Sequence, residues 1–205
     1  MLLAVALPAS GASIATFTSS TAFDDAVSGY PGLPTFNETF TTVPTTILNI
    51  TFNGGNQYQR GIDLGKLWDQ VTNLSPSQTT TISLTNGNMM LGVGAIWDLT
   101  PLGPGAGLKI TLNFADQPSQ DLSQVLGYTV GNFSGPFFFG FISDQKFTSF
   151  TVGASQSYYT ENYTIDNLFI IDPPAPEPVP EPATIGLMGG SLVGLAALSR
   201  MRRRA

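Results

Sequence analysis

Leu108-Lys109-Ile110-Thr111-Leu112-Asn113-Phe114 places Leu108, Ile110, Leu112 and Phe114 on one face of an extended chain and Lys109, Thr111 and Asn113 on the other. That period of two is the pattern of a half-buried antiparallel strand. Working outward, similar runs rich in Thr, Val, Ile and Phe, broken by Gly, Pro, Asn or Asp, fill the chain between Phe17 and Ile171. They predict strands over Ile47 to Phe52, Thr79 to Thr85, Met89 to Trp97, Val125 to Val130, Phe137 to Ile142, Phe147 to Val152 and Tyr163 to Ile171. About eight to ten short strands joined by turn residues predict an all-β, jelly-roll-like antiparallel β-sandwich, with a barrel as the alternative arrangement. Two short helices are expected, over Phe23 to Val27 and over Leu64 to Val71, the first of which has a surface turn as its alternative. Gly92-Val-Gly94 and Gly103-Pro-Gly105-Ala-Gly107 lack the strand-turn-helix setting and the following Lys of a phosphate loop, so they read as turns.

Charge is distributed unevenly. The formal net charge is -6, but Arg200, Arg202, Arg203 and Arg204 supply half of the eight basic residues. Upstream of them, Arg60, Lys66, Lys109 and Lys146 face all 14 carboxylates, a net -10 that repels a phosphate backbone and argues against a nucleic-acid partner. The chain has no Cys and no His, which excludes disulfides, thiolate or imidazole metal sites, and Ser-His-Asp, Cys-His or histidine acid-base catalysis. No cofactor is expected.

The two ends differ from the body. Met1 to Leu7 is apolar and is followed by Pro8 and the small residues Ala9 to Ser13, a pattern matching a signal peptide over residues 1–15 that lacks its basic leading region; an upstream start would supply that region. Cleavage is expected after Ala12 or Ala15, and an apolar first strand is the alternative. The folded ectodomain is then expected over residues 16–171. Asp172 to Pro182 is a proline ladder that can neither pair as a strand nor wind as a helix, so it forms an extended linker. Ala183 to Ser199 carries no charge, and as a helix it spans about 25 Å, short of the roughly 30 Å of bilayer hydrocarbon, so insertion depends on snorkelling by the flanking arginines. Residues 200–205 form a basic tail. Because cationic flanks remain in the cytoplasm, the acidic body is expected outside the inner membrane and the tail inside. An ordinary single-span anchor behind a proline linker is the alternative.

Val179-Pro180-Glu181-Pro182, the apolar segment behind it and Arg200-Met-Arg-Arg-Arg204 together resemble the PEP-CTERM sorting signal. The resemblance covers the last 27 residues. It implies that a membrane-embedded transpeptidase, exosortase, recognises Pro180, Glu181 and Pro182, cuts nearby and releases the body to the envelope, while Arg200, Arg202, Arg203 and Arg204 stop transfer. The earlier Pro176-Glu177-Pro178 also matches the tripeptide but lies farther from the helix and reads as spacer. Phe138 to Val152 and Tyr163 to Phe169 resemble the closing strands of a carbohydrate-binding-like sandwich that recurs in ectodomains of this family.

For the body, a structural or adhesive envelope protein, a carbohydrate-binding module and a carboxylate-based glycoside hydrolase remain as classes, with no enzymatic activity expected. Glu38 and Glu161, the only Glu residues of the body, sit in polar stretches and read as solvated surface, which leaves no marked acid-base pair. Sugar stacking requires exposed aromatic rings, for which Trp68, Trp97, Tyr158 and Tyr159 are candidates. Trp97 ends an apolar run and reads as core, so Tyr158 and Tyr159, in the polar stretch 154–162, are the expected contacts to extracellular polysaccharide. Asp144 and Asp166, with Asn167, are the oxygen ligands a calcium ion would use, but their places at strand ends favour local turns and no metal is expected.

Overall fold

The computed structural model describes residues 11–30, 35–41, 47–54, 60–74, 77–99, 107–122, 126, 135–156 and 160–172. Residues 173–182 of the linker, with the sorting motif, the apolar segment 183–199, the arginine cluster and residues 1–10, lie outside them, whereas Asp172 is buried and accepts from the Asn88 side-chain amide at 2.9 Å. In chain order the elements are β1 (Ile14–Phe17), α1 (Ser20–Ser28), β2 (Thr35–Glu38), β3 (Leu48–Asn53), β4 (Gly61–Asp63), β5 (Lys66–Thr72) and β6 (Thr79–Leu84). They continue with β7 (Met90–Asp98), β8 (Leu108–Asn113), β9 (Gln120–Asp121), β10 (Phe137–Phe147), β11 (Ser149–Ala154) and β12 (Thr160–Ile171).

These strands form two antiparallel sheets. The seven-stranded sheet runs β1-β10-β7-β12-β5-β4, with β2 also paired to β12, and the five-stranded sheet runs β3-β6-β11-β8-β9. From β5 to β12 the chain crosses between the sheets at nearly every step, only β8 and β9 being consecutive in one sheet. One hydrophobic core, drawn from both sheets, lies between them: Leu67 and Val71 of β5, Val93 and Trp97 of β7, and Phe139 and Phe141 of β10 meet Ile82, Ile110, Phe150 and Val152 of the other sheet. Phe141 and Phe150 meet edge to face with centroids 5.9 Å apart. The alternation read in the sequence holds here, since Leu108, Ile110 and Leu112 are fully buried while Lys109 is exposed.

A second cluster covers part of the outer face of the seven-stranded sheet. Ser19 caps α1 by accepting from the Ala22 amide, and the helix lays Phe23 against Phe17, Phe138 and Phe169. Room for that ring comes from Gly94 and Gly140, which stand opposite each other in the β7–β10 register. A Cβ on Gly140 would lie 2.8 Å from Phe23 Cδ2, and one on Gly94 would lie 3.0 Å from Phe23 Cε1. Gly92-Val-Gly94 is therefore the middle of a strand, not the turn the composition suggested.

The second expected helix is also corrected. Leu64, Leu67, Trp68 and Val71 have helical spacing, yet Leu64-Gly65 is the turn of a β4–β5 hairpin, with both residues at positive φ (50° and 76°), and β5 starts at Lys66. Leu67, Asp69 and Val71 are buried at period two, with Thr72 also buried at the end of the strand. The charged Asp69 in the buried row is what disguised the strand. The Phe23 helix is present and longer than expected, and Val125 to Val130 falls outside the described residues apart from Leu126, which bridges to Leu108. β1 begins at Ile14, inside the stretch read as a leader, and pairs with β10 from Ser143 to Gly140.

Candidate functional site on the outer sheet face

The site begins with a buried carboxylate. Asp69 is 2 % exposed, and alternation along β5 sends it into the space between the sheets. An unpaired charge there is costly, and Asp69 is fully paired: Arg60 Nε lies 2.9 Å from its Oδ1, which also accepts from the Gln70 amide at 2.8 Å. Its Oδ2 accepts from the hydroxyls of Thr80 and Tyr163. Burial, then the Asp69 charge and hydrogen bond, hold the Tyr163 phenol well above its ordinary pKa, so it stays protonated and donating. Arg60 is held in turn by the carbonyls of Gly54 (2.7 Å) and Gln70 (2.8 Å from Nη2) and lies over the Phe52 ring.

Locking Asp69 inward turns its neighbours outward. Lys66, Trp68 and Gln70 therefore face away from the core, on the part of the sheet that the Phe23 cluster leaves open. Trp68 is 38 % exposed. The register sets Gly61 of β4, Trp68 of β5, Thr164 of β12 and Asp98 of β7 in one row across four strands, roughly 14 Å from end to end. Gly61 leaves the edge side of the indole uncovered, because a Cβ there would meet nothing within 4 Å. In the next row Gln70 Nε2 donates to Asn162 Oδ1 at 2.8 Å, which leaves Gln70 Oε1 and the Asn162 amide hydrogens without partners among the described residues. Asp166, outward at the other side of the row, precedes a bulge at Asn167, whose φ is 50°. The face thus carries one exposed aromatic ring among amides and carboxylates, with Thr164 buried beside it at 3 % exposure.

The residues singled out from sequence are distributed differently. Trp97 is core, as expected, with its indole N–H donating to the Phe139 carbonyl at 3.2 Å. Tyr158 and Tyr159 lie outside the described residues, as do Val179 to Pro182 and the four C-terminal arginines. Asp144 accepts from the Ser13 amide at 2.9 Å and so ties β1 to β10. It is not brought to Asp166: Asp166 is level with Ile96 and Phe138, and Asp144 lies six residues farther along β10, on the order of 20 Å away. Among the described residues no three acidic side chains gather in a way that could hold a metal ion.

Glu38 and Glu161 correct the sequence reading, because both are buried. Glu38 folds back to accept from the Phe40 amide at 2.7 Å, and Phe40 itself sits in the core at a φ of 52°. Glu161 points inward like Tyr163 and Ile165, two and four residues on, and its Oε2 accepts from the Gly107 amide at 2.6 Å while Oε1 has no hydrogen-bond partner among the described residues. Burial raises its pKa to about 6, against the opposing pull of the Gly107 and Asn162 amides. Separately, the β8–β9 connection, the end of β10 and Met89 bound an open cleft of about 640 Å³ lined by Met89, Phe114, Asp116, Gln117, Gln145 and Lys146.

No helix among the described residues is long and apolar enough to cross a membrane. No protein-family model matches the chain, and no curated protein matches it.

Proposed function

We propose that the chain is an exported bacterial cell-envelope protein, with a PEP-CTERM-type sorting signal at its carboxyl end and a body that is structural or adhesive rather than catalytic. The observation that carries the reading is the order of Val179-Pro-Glu-Pro182, the uncharged residues 183–199 and the arginine cluster, placed directly behind a domain whose last strand ends at Ile171. In this reading an extended Pro-Glu-Pro motif suits a protease groove, and an uncharged span followed by arginines suits insertion with the arginines in the cytoplasm. For the body, the repeated crossing of β5 to β12 between the sheets, in the orders β5-β12-β7-β10 and β6-β11-β8-β9, supports a jelly-roll reading. The buried carboxylates support a non-catalytic one. Asp69 is saturated by its donors, and Glu161 lies in the interior rather than across a cleft from a second acid.

The test is to express the full chain in a host that possesses an exosortase and to follow its mass and fractionation. The wild type is expected to be shortened near Pro182 and released from the inner membrane. Replacing Pro180, Glu181 and Pro182 by Ala should leave a full-length, membrane-bound chain. Equal processing of both proteins contradicts the proposal.

A further inference from the structure

We propose that the open half of the outer face of the seven-stranded sheet, centred on Trp68, is a binding platform for a neutral polysaccharide. The inference deepens the adhesive reading of the body and is independent of the sorting signal. Burying Trp68 is not required for folding on this face: the helix seals the neighbouring half with Phe23, and the indole stays 38 % exposed in a polar row. One aromatic ring among polar groups is not the contiguous apolar patch of a protein interface. It does match a sugar ring, whose C–H face stacks on an indole while its hydroxyls lie at the rim.

The rim supplies both hydrogen-bonding senses. Gln70 Oε1 and the Asp166 carboxylate accept, and the Asn162 amide donates, so vicinal hydroxyls find a partner of each kind. Gly61 leaves the entrance over the β4 edge open, so a sugar ring reaches Trp68 over β4 and β5 beside Gln70 and Asn162, while the row closes at Thr164, which is 3 % exposed. Charge selects the class of glycan. Asp98 and Asp166 flank the row and Lys66 is its cation, while Arg60 is consumed inside by Asp69. From Gly11 to Asp172 there are 12 carboxylates against four cations, so a uronate, sulfated or phosphate-bearing polymer is repelled and an uncharged one is not.

The experiment uses the full-length chain in mild detergent, so that the fate of the sorting signal has no bearing on it. Retention is measured on cellulose, starch and galactomannan as neutral polymers, and on alginate and heparin as acidic ones. The expected result is retention on at least one neutral polymer and none on the acidic pair. Trp68→Ala should weaken it roughly tenfold or more, and Trp68→Phe should keep most of it. Asn162→Ala should weaken binding without touching the indole, which keeps the test decisive if Trp68→Ala folds poorly. Acrylamide quenching of the wild type should fall in the presence of the bound polymer, because Trp97 is already shielded and Trp68 reports alone. The proposal is overturned by failure to bind all three neutral polymers, by retention that survives both Trp68→Ala and Asn162→Ala, or by retention that instead falls with Lys146→Ala, which would place the ligand in the cleft beside Gln117.

Discussion

Tyr163 stands directly opposite Asp69 in the β5–β12 register and donates its phenol hydrogen bond to Asp69 Oδ2, so that the ladder and the buried ion pair with Arg60 fix the same two strands. Removing one member strands the others. Asp69→Ala leaves the Arg60 guanidinium buried without its counter-charge and is expected to cost about 3–5 kcal/mol of unfolding free energy. Tyr163→Phe deletes one hydrogen bond to a charged group and is expected to cost about 1.5–3 kcal/mol. Urea unfolding followed by fluorescence measures both, and a neutral Tyr163→Phe would show that the phenol contributes nothing to the network.

The Phe23 ring and the glycine pair beneath it form one packing unit. Gly140→Ala puts a methyl 2.8 Å from the ring and 3.0 Å from the Val93 carbonyl, so about 1–3 kcal/mol of destabilisation is expected. Phe23→Ala should cost about 3–5 kcal/mol. Because the alanine at 140 no longer meets a ring once Phe23 is gone, the double variant should be less destabilised than the sum of the two. Strict additivity would mean that α1 does not depend on this contact.

Glu161 gives the body a pH dependence of defined sign. Its folded pKa of about 6 lies above the ordinary 4.5, so the folded state binds the proton more tightly than the unfolded one. Its stabilising contribution is full below pH 4.5 and is lost as pH rises through 6, a change on the order of 2 kcal/mol. Glu161→Gln should therefore raise the melting temperature at pH 7.5, with little change at pH 4. A parallel shift at both pH values would contradict the assignment.

The strands were legible wherever one face is apolar and the other polar, as at Leu108 to Asn113, because burial on one side imposes period two. Errors arose where a residue type served an unusual place. Leu64, Leu67, Trp68 and Val71 imitate a helical stripe because Leu64 belongs to a turn and Trp68 to the outer face, while Asp69 takes an inward position usually held by an aliphatic residue. Gly92 and Gly94 looked like turn residues because nothing near them in sequence announces that distant side chains need the space, Ile171 and Ile142 at Gly92 and Phe23 and Phe138 at Gly94. Glu38 and Glu161 read as solvated for the same reason: their partners are backbone amides, which leave no trace in composition. Of the candidate platform, the sequence supplied Trp68 as one of four aromatic candidates. Its row mates depend on a register that only the paired strands define.

The amino-terminal strand constrains any leader. Ala12 is 5 % exposed and its carbonyl accepts from Gln120, and Ile14 and Ala15 pair with Ser143 and Ile142. Cleavage after Ala15 would remove half of β1, so Edman sequencing of exported protein is expected to start upstream of Ala12. A first residue of Thr16 would show that the sandwich closes without the first half of β1.

The central claim is the proposed topology, with the acidic body on the outer side of the inner membrane and the arginine tail in the cytoplasm. The chain contains no cysteine, so single cysteines at the exposed Thr18 and at Ala205 report topology without background. In intact spheroplasts lacking exosortase, a membrane-impermeant maleimide should label Thr18→Cys at once and Ala205→Cys only after lysis. Labelling of both before lysis, or recovery of the full-length chain in the soluble cytoplasmic fraction, would contradict the account.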